Sequence, residues 1–156
     1  MDANTLLALH ALYSEYTAVL DARELERWPL LFTEDGIYKL QSRENFDRGL
    51  PLATLAFESR GMLMDRVYGA AETIFHDPYV QRHIVGLPRL LSRDGDTLRC
   101  EASYLVIRTK RDAMPEILSV GRYLDRVVPT PEGLRFAERL VIFDNDLIPN
   151  SIIDPI

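Results

Sequence analysis

Residues 97–111 (TLRCEASYLVIRTKR), 116–128 (EILSVGRYLDRVV) and 134–146 (LRFAERLVIFDND) decide the fold. Each is long, rich in β-branched and aromatic residues, and separated from the next by a short turn signal, Arg111-Asp112-Ala113-Met114-Pro115 and then Pro129-Thr130-Pro131-Glu132-Gly133. Spacers of this length join neighbouring antiparallel strands, so nearly a third of the chain reads as one twisted meander. Tyr104-Leu105-Val106-Ile107 and Leu140-Val141-Ile142-Phe143 are apolar without interruption, where a half-solvated strand would alternate. Both faces of the sheet must therefore be partly covered at those levels.

Working back towards the N-terminus, Leu9, Leu12, Tyr13, Tyr16, Val19 and Leu20 recur at helical spacing within 4–22, with Asn4 as the expected N-cap. Asp21-Ala22-Arg23-Glu24 has the form of a capping box opening a second, short helix that ends at Trp28, before Pro29. Thr33-Glu34-Asp35-Gly36 turns the chain into a first strand over 37–41. The polar stretch 42–49 reads as a loop, with a short extended piece over 53–57. Ser59 can cap a helix whose stripe is Leu63, Val67, Ala70 and Ile74, and a further strand covers 82–91. Helices first and antiparallel strands after them predict a single α+β domain over 1–156, with the helices packed on one face of a curved sheet. Those helices cover only one face, so either a second subunit or the segment 147–156, folded back, is expected to cover the other.

The chain has 156 residues, 47% of them hydrophobic, a net charge of −6 and one cysteine. That length sustains a core without a metal or disulfide. The excess negative charge opposes a phosphate backbone, no apolar run approaches the roughly 20 residues of a membrane-spanning helix, and the lone Cys100 with no leader-like segment predicts a cytoplasmic protein. Nucleic acid and membrane are not expected as partners.

Chemistry-bearing motifs are sparse. His10, His76 and His83 lack the one-face i, i+4 spacing of a helical zinc pair, leaving only a facial triad assembled in space. A Rieske cluster needs two Cys and two His, which one cysteine cannot supply. No nucleophile elbow or glycine-rich phosphate loop occurs, and strand alternation makes Cys100 a small buried hydrophobe. Acid/base chemistry is the one catalytic option left. Asp35, Tyr38 and His83 could line the cavity of a curved sheet, although a turn residue, a core aromatic and a satisfied strand histidine are the better descriptions of them from sequence alone. The densest charges on the apolar strands are Arg122, Asp125, Arg126, Glu138 and Arg139, expected to pair within the fold or across a subunit boundary.

Four pieces together resemble one family. They are 28–38 (WPLLFTEDGIY), 59–66 (SRGMLMDR), 82–86 (RHIVG), and 121–125 (GRYLD) with Ala137-Glu138-Arg139 to Asp144. In order and spacing these are similar to the small (β) subunits of bacterial Rieske-type aromatic-ring-hydroxylating dioxygenases. The run 40–47 (LQSRENFD) followed by Gly49-Leu50-Pro51 is most similar to members acting on aromatic carboxylates, the salicylate 5-hydroxylase and terephthalate dioxygenase kinds. The resemblance implies a cystatin-like, or nuclear-transport-factor-2-like (NTF2-like), cone and an α3β3 assembly around a trimer of small subunits. It places the Rieske 2Fe–2S cluster and the mononuclear Fe(II) in the large (α) subunit, with electrons arriving from NAD(P)H through a reductase, and none of these cofactors in this chain. It also implies a non-catalytic, structural role, with Arg66, Arg122, Asp125 and Arg139, which lie in the matching pieces, as structural ion pairs or subunit contacts. The competing expectation is a free-standing dehydratase or isomerase of the same fold, using an Asp35/His83 acid–base pair beside Tyr38.

Overall fold

The computed structural model describes residues 3–148 and 151–156. Helix α1 (Ala3–Asp21) buries Leu9, Leu12, Tyr13, Tyr16, Val19 and Leu20, the same stripe that periodicity marks, and burial of large apolar side chains contributes about 1.5–3 kcal/mol each. Because the helix is already formed at Ala3, Asn4 lies inside it rather than capping it. A 3₁₀ helix (Leu25–Leu31) follows in place of the short α-helix. It carries Pro29 within it, and Glu24 makes no side-chain cap. Strand β1 (Phe32–Ser42) is longer than expected, and the polar stretch after it holds a helix, α2 (Arg43–Asp47), capped by Ser42 accepting from the Asn45 N–H. Strand β2 (Leu55–Phe57) leads to α3 (Arg60–Glu72), whose N-cap Ser59 accepts from the Met62 N–H. The strand expected over 82–91 is two, β3 (Tyr79–Val85) and β4 (Arg89–Asp94).

The meander is β5 (Thr97–Lys110), β6 (Glu116–Thr130) and β7 (Gly133–Phe143). It forms the middle of a seven-stranded sheet in the order β2-β1-β7-β6-β5-β3, with β4 also on β5. Every pairing is antiparallel except β1 with β7, which is parallel. Register shifts interrupt β1 against β7, β4 against β5, β5 against β6 and β6 against β7. Such bulges bend and twist a strand, and they curl this sheet around the helices. At the β1 bulge a Cβ on Gly36 would lie 2.8 Å from Phe32 Cβ and 2.9 Å from the Thr33 carbonyl oxygen, so the chain can fold back there only without a side chain.

The concave side holds the core. Tyr16, Trp28, Phe32, Tyr38, Leu40, Leu63, Tyr123, Val127 and Phe136 are nearly or wholly without solvent contact. Trp28 meets Phe32 and Tyr38 edge-on, with centroids at 5.7 and 5.1 Å, and Tyr38 stacks on Phe57. Residues 151–156 enter this same concave side. Ile152, Ile153, Asp154 and Ile156 are buried, and Ile152 and Ile156 belong to the core. Residues 151–156 thus lie on the side that α1 and α3 cover, not on the convex face. No helix of the described residues is long and apolar enough to cross a membrane.

Candidate functional site

On β6, strand alternation sends Gly121, Tyr123, Asp125 and Val127 inward and Arg122, Leu124 and Arg126 outward. Asp125 pairs in register with Arg139 of β7. The Arg139 guanidinium donates from Nε to Asp125 Oδ1 at 2.9 Å and from Nη2 to Oδ2 at 2.7 Å, with neither side chain exposed. Tyr13, from α1, donates its hydroxyl to the same carboxylate. Four rings enclose the guanidinium carbon, with centroids at 4.8 Å (Tyr13), 4.0 Å (Tyr16), 4.1 Å (Tyr123) and 4.0 Å (Phe136). Burial alone would lower the affinity of Arg139 for its proton, but the Asp125 charge and hydrogen bonds hold it well above the ordinary arginine value. The cation is permanent, and the aromatic faces and one carboxylate stabilise it in a dry interior. Burial, reinforced by Asp125, pushes the neighbouring Cys100 thiol up to about 12, which leaves it a poor nucleophile.

The acid/base candidates are not brought together. Asp35 is exposed near the start of β1, where Thr33 donates to it at 2.9 Å. His83 lies on β3, with β7, β6 and β5 between it and β1. Its partner is Asp21, at the end of α1, whose carboxylate accepts from His83 Nδ1 at 2.6 Å and from the His83 backbone N–H at 3.1 Å. The ring is wholly shielded from solvent and Nε2 has no hydrogen-bond partner. A cavity of about 240 Å³ touches His10, Tyr13, Ser14, Thr17 and His83, yet the His83 ring does not open onto it, because the exposed part of His83 is backbone. Tyr38 is buried and faces the tail: its hydroxyl oxygen accepts from the Ile156 N–H at 3.0 Å. The sequence gives no local sign of the Asp21–His83 contact, since 62 residues separate the two.

The three histidines are not brought together. His10 is on the exposed side of α1, His76 lies beside Arg23, and His83 is occupied by Asp21. Among the described residues no three His, Cys, Asp or Glu side chains gather to hold a metal. One cysteine cannot meet the ligand demand of a Rieske cluster. The residues present fit neither iron group.

The charges expected to pair fall into three settings. Arg139 and Asp125 are the interior pair. Arg122 is on the convex face, with Nη1 3.4 Å from Glu101, which also accepts from Arg89 at 2.7 Å, and with its guanidinium 5.7 Å from the Phe46 ring of α2. Among the described residues Arg66 has no carboxylate partner; it donates to the carbonyls of Ile152 at 3.1 Å and Ile153 at 2.6 Å and so ties the tail down. Asp154 of the tail is held by Arg23 through two hydrogen bonds at 3.0 and 3.1 Å.

The convex face is built in rows by the register. Ile84, Leu105 and Val120 lie side by side across β3, β5 and β6. Glu101, Leu124 and Leu140 do so across β5, β6 and β7, as do Arg99, Arg126 and Glu138. Ile84 is 54% exposed, Ile117 62% and Val80 58%, which makes this face markedly apolar for solvent. The ion pairs crossing it, Arg122–Glu101 and Arg126–Glu138, are partly exposed and contribute about 0–1 kcal/mol each to the monomer.

Comparison with known proteins places this geometry. A family model described as a SnoaL-like domain matches residues 2–140. The anthranilate 1,2-dioxygenase small subunit of Burkholderia cepacia is 34% identical over 156 residues, covering 99% of this chain and 96% of that protein. Subunit beta 2 of the terminal oxygenase component of terephthalate 1,2-dioxygenase from Comamonas is 27% identical, covering 96% of this chain and 97% of that one. A crystal structure from Novosphingobium aromaticivorans, assigned as the beta subunit of an aromatic-ring-hydroxylating dioxygenase, superposes with a TM-score of 0.89 at 34% identity over 97% of both chains. The chain therefore belongs to the SnoaL-like, NTF2-like family and, within it, to the small subunits of aromatic-ring dioxygenases.

Proposed function

We propose that this chain is the non-catalytic structural subunit of a multicomponent Rieske oxygenase that hydroxylates an aromatic carboxylate, working in the cytoplasm as a single domain within an α3β3 assembly. The observation that carries the reading is the contrast between its two sheet faces. The concave side is filled by helices, aromatic rings and the tail, with His83 sealed from solvent, whereas the convex side leaves apolar rows and charges open to solvent. Permanent interfaces are the usual reason for such a face. The large subunit then holds both iron groups, and NAD(P)H supplies electrons through a reductase. Anthranilate and terephthalate, after which two relatives are named, are both aromatic carboxylates, which supports that substrate class.

Co-expression with a large subunit tests this. Affinity capture of a tagged large subunit should retain this chain in equal stoichiometry, with a mass fitting three copies of each. A chain that stays behind, or an interface burying well below about 1,000 Å² in the assembly, would contradict it.

A further inference from the structure

Two adjacent rows run across the convex face. Lys39, Leu140, Leu124, Glu101 and Arg89 lie side by side from β1 to β4, and Ile37, Glu138, Arg126, Arg99 and Ser92 form the row beside them. Cross-strand neighbours point to the same side of a sheet, so these side chains all look outward. The two rows hold four cations and two carboxylates, a charge of +2 in a chain of −6, which leaves −8 to the rest of the molecule. Glu101 is shared by Arg89 and Arg122, and Glu138 is taken by Arg126. Among the described residues Lys39 and Arg99 have no carboxylate partner. A notch of about 220 Å³ opens here, and its lining includes Phe46, Leu91, Leu124 and Leu140 together with Arg99 and Arg126.

The opposite charge pattern occurs on the helical side. Helix α3 turns Leu63 and Val67 into the core and leaves Met64 and Tyr68 outside, the latter 66% exposed. A groove of about 260 Å³ between α3 and the 3₁₀ helix has Pro29, Met64, Tyr68, Glu26 and Glu72 in its lining. Neither glutamate has a cation partner among the described residues.

Both surfaces are partly apolar, one with unpaired cations and the other with unpaired carboxylates. Two convex faces brought together would set arginine against arginine, and two of the grooves would repel in the same way, so a two-fold contact through either is disfavoured. The convex face of one copy against the groove of the next neutralises both. Such a contact uses different surfaces on the two copies and therefore closes into a ring. An unpaired arginine meeting an exposed tyrosine, with a notch beside it to receive the ring, has the form of the contacts that dominate interface energetics.

We propose that the convex face docks a second copy of this chain head-to-tail, with Lys39 and Arg99 against Glu26 and Glu72 of the next copy and the notch around that copy's Tyr68, closing a ring of three. The number three rests on the subunit reading given above, whereas the contact itself needs no large subunit.

Sedimentation equilibrium of the full chain alone tests it. Copies of 17.9 kDa should associate into trimers in the micromolar range, less tightly as salt rises. Lys39→Glu with Arg99→Glu, and Glu26→Lys with Glu72→Lys, should each weaken the trimer at least about tenfold, and one chain carrying all four changes should recover to within about threefold of the parent. Arg111→Glu, the same kind of charge change on the turn between β5 and β6, should leave association unaltered. Circular dichroism verifies the fold of each variant. A chain monomeric at every concentration, reversals without effect, a four-change chain no better than either pair, or equal weakening by Arg111→Glu would each overturn the proposal. Capture by a large subunit separates this contact from the subunit role. Trimers that respond to the charge swap but are not captured support the contact and contradict the role, and capture in equal stoichiometry that ignores the reversals does the reverse.

Discussion

Asp125 of β6 and Arg139 of β7 stand opposite each other across one rung of the sheet and share two hydrogen bonds with neither side chain exposed to water. Truncating one partner leaves the other charge buried and uncompensated. Asp125→Ala is expected to destabilise the chain by about 3–5 kcal/mol in urea unfolding, whereas Asp125→Leu with Arg139→Met should recover most of that loss, because two apolar residues need no partner. If the double variant were as unstable as the single, the pair would contribute more than mutual neutralisation.

The tyrosines around that pair set an alkaline limit. Burial, first of all, raises the Tyr13, Tyr16, Tyr38, Tyr104 and Tyr123 phenols above their ordinary 10.0. The unfolded chain releases these protons near pH 10 while the folded chain keeps them. Stability is therefore unaffected below that pH and falls above it, by about 1.4 kcal/mol per pH unit for each such tyrosine. The urea midpoint should be level from pH 7 to 9 and drop steeply by pH 11; a midpoint unchanged at pH 11 would show the phenols to be open to water.

Gly121 of β6 leaves no room for a side chain against β7. A Cβ there would lie 1.9 Å from the Ile142 carbonyl oxygen and 2.9 Å from Phe143 Cα, both backbone atoms that cannot swing aside. Gly121→Ala should cost about 1–3 kcal/mol and lower the melting temperature. An unchanged melt would mean that the two strands can separate at this level.

Val120 lies on the convex face and is 37% exposed, in a row with Leu105 and Ile84. Val120→Glu should shift the stability of the isolated chain by no more than about 0.5 kcal/mol, as surface substitutions do. In the assembly it sets a carboxylate against an apolar contact, so sedimentation should show dissociation of subunits. Intact assembly in the variant would move the contact to another face.

Several features were legible because they are local. The α1 stripe repeats every three to four residues, Ser59 stands in front of α3, and the two turns of the meander carry Pro, Asp and Gly. Alternation along β6 separates Asp125 from Arg122 and Arg126. The features that escaped depend on distant pairings. The parallel contact of β1 with β7 has no turn to announce it, α2 at five residues is too short to show a period, and the tail enters the cone through contacts with Tyr16, Tyr38 and Arg66 that lie 86 to 140 residues away in sequence. His83 is the instructive site residue. Its type suggested chemistry, Asp35 was the carboxylate expected beside it, and helix packing supplied Asp21 instead.

The most direct measurement of the subunit role is turnover of an aromatic carboxylate in a reconstituted system containing reductase, NAD(P)H and a large subunit, with this chain present, absent or carrying His83→Gln. A structural subunit gives no turnover with the reductase alone, supports turnover in the assembly, and tolerates His83→Gln there with a change of no more than about twofold once assembly of the variant is verified. Product formed by this chain without the large subunit, or a loss of about a hundredfold on His83→Gln as expected of a general acid or base, would contradict it.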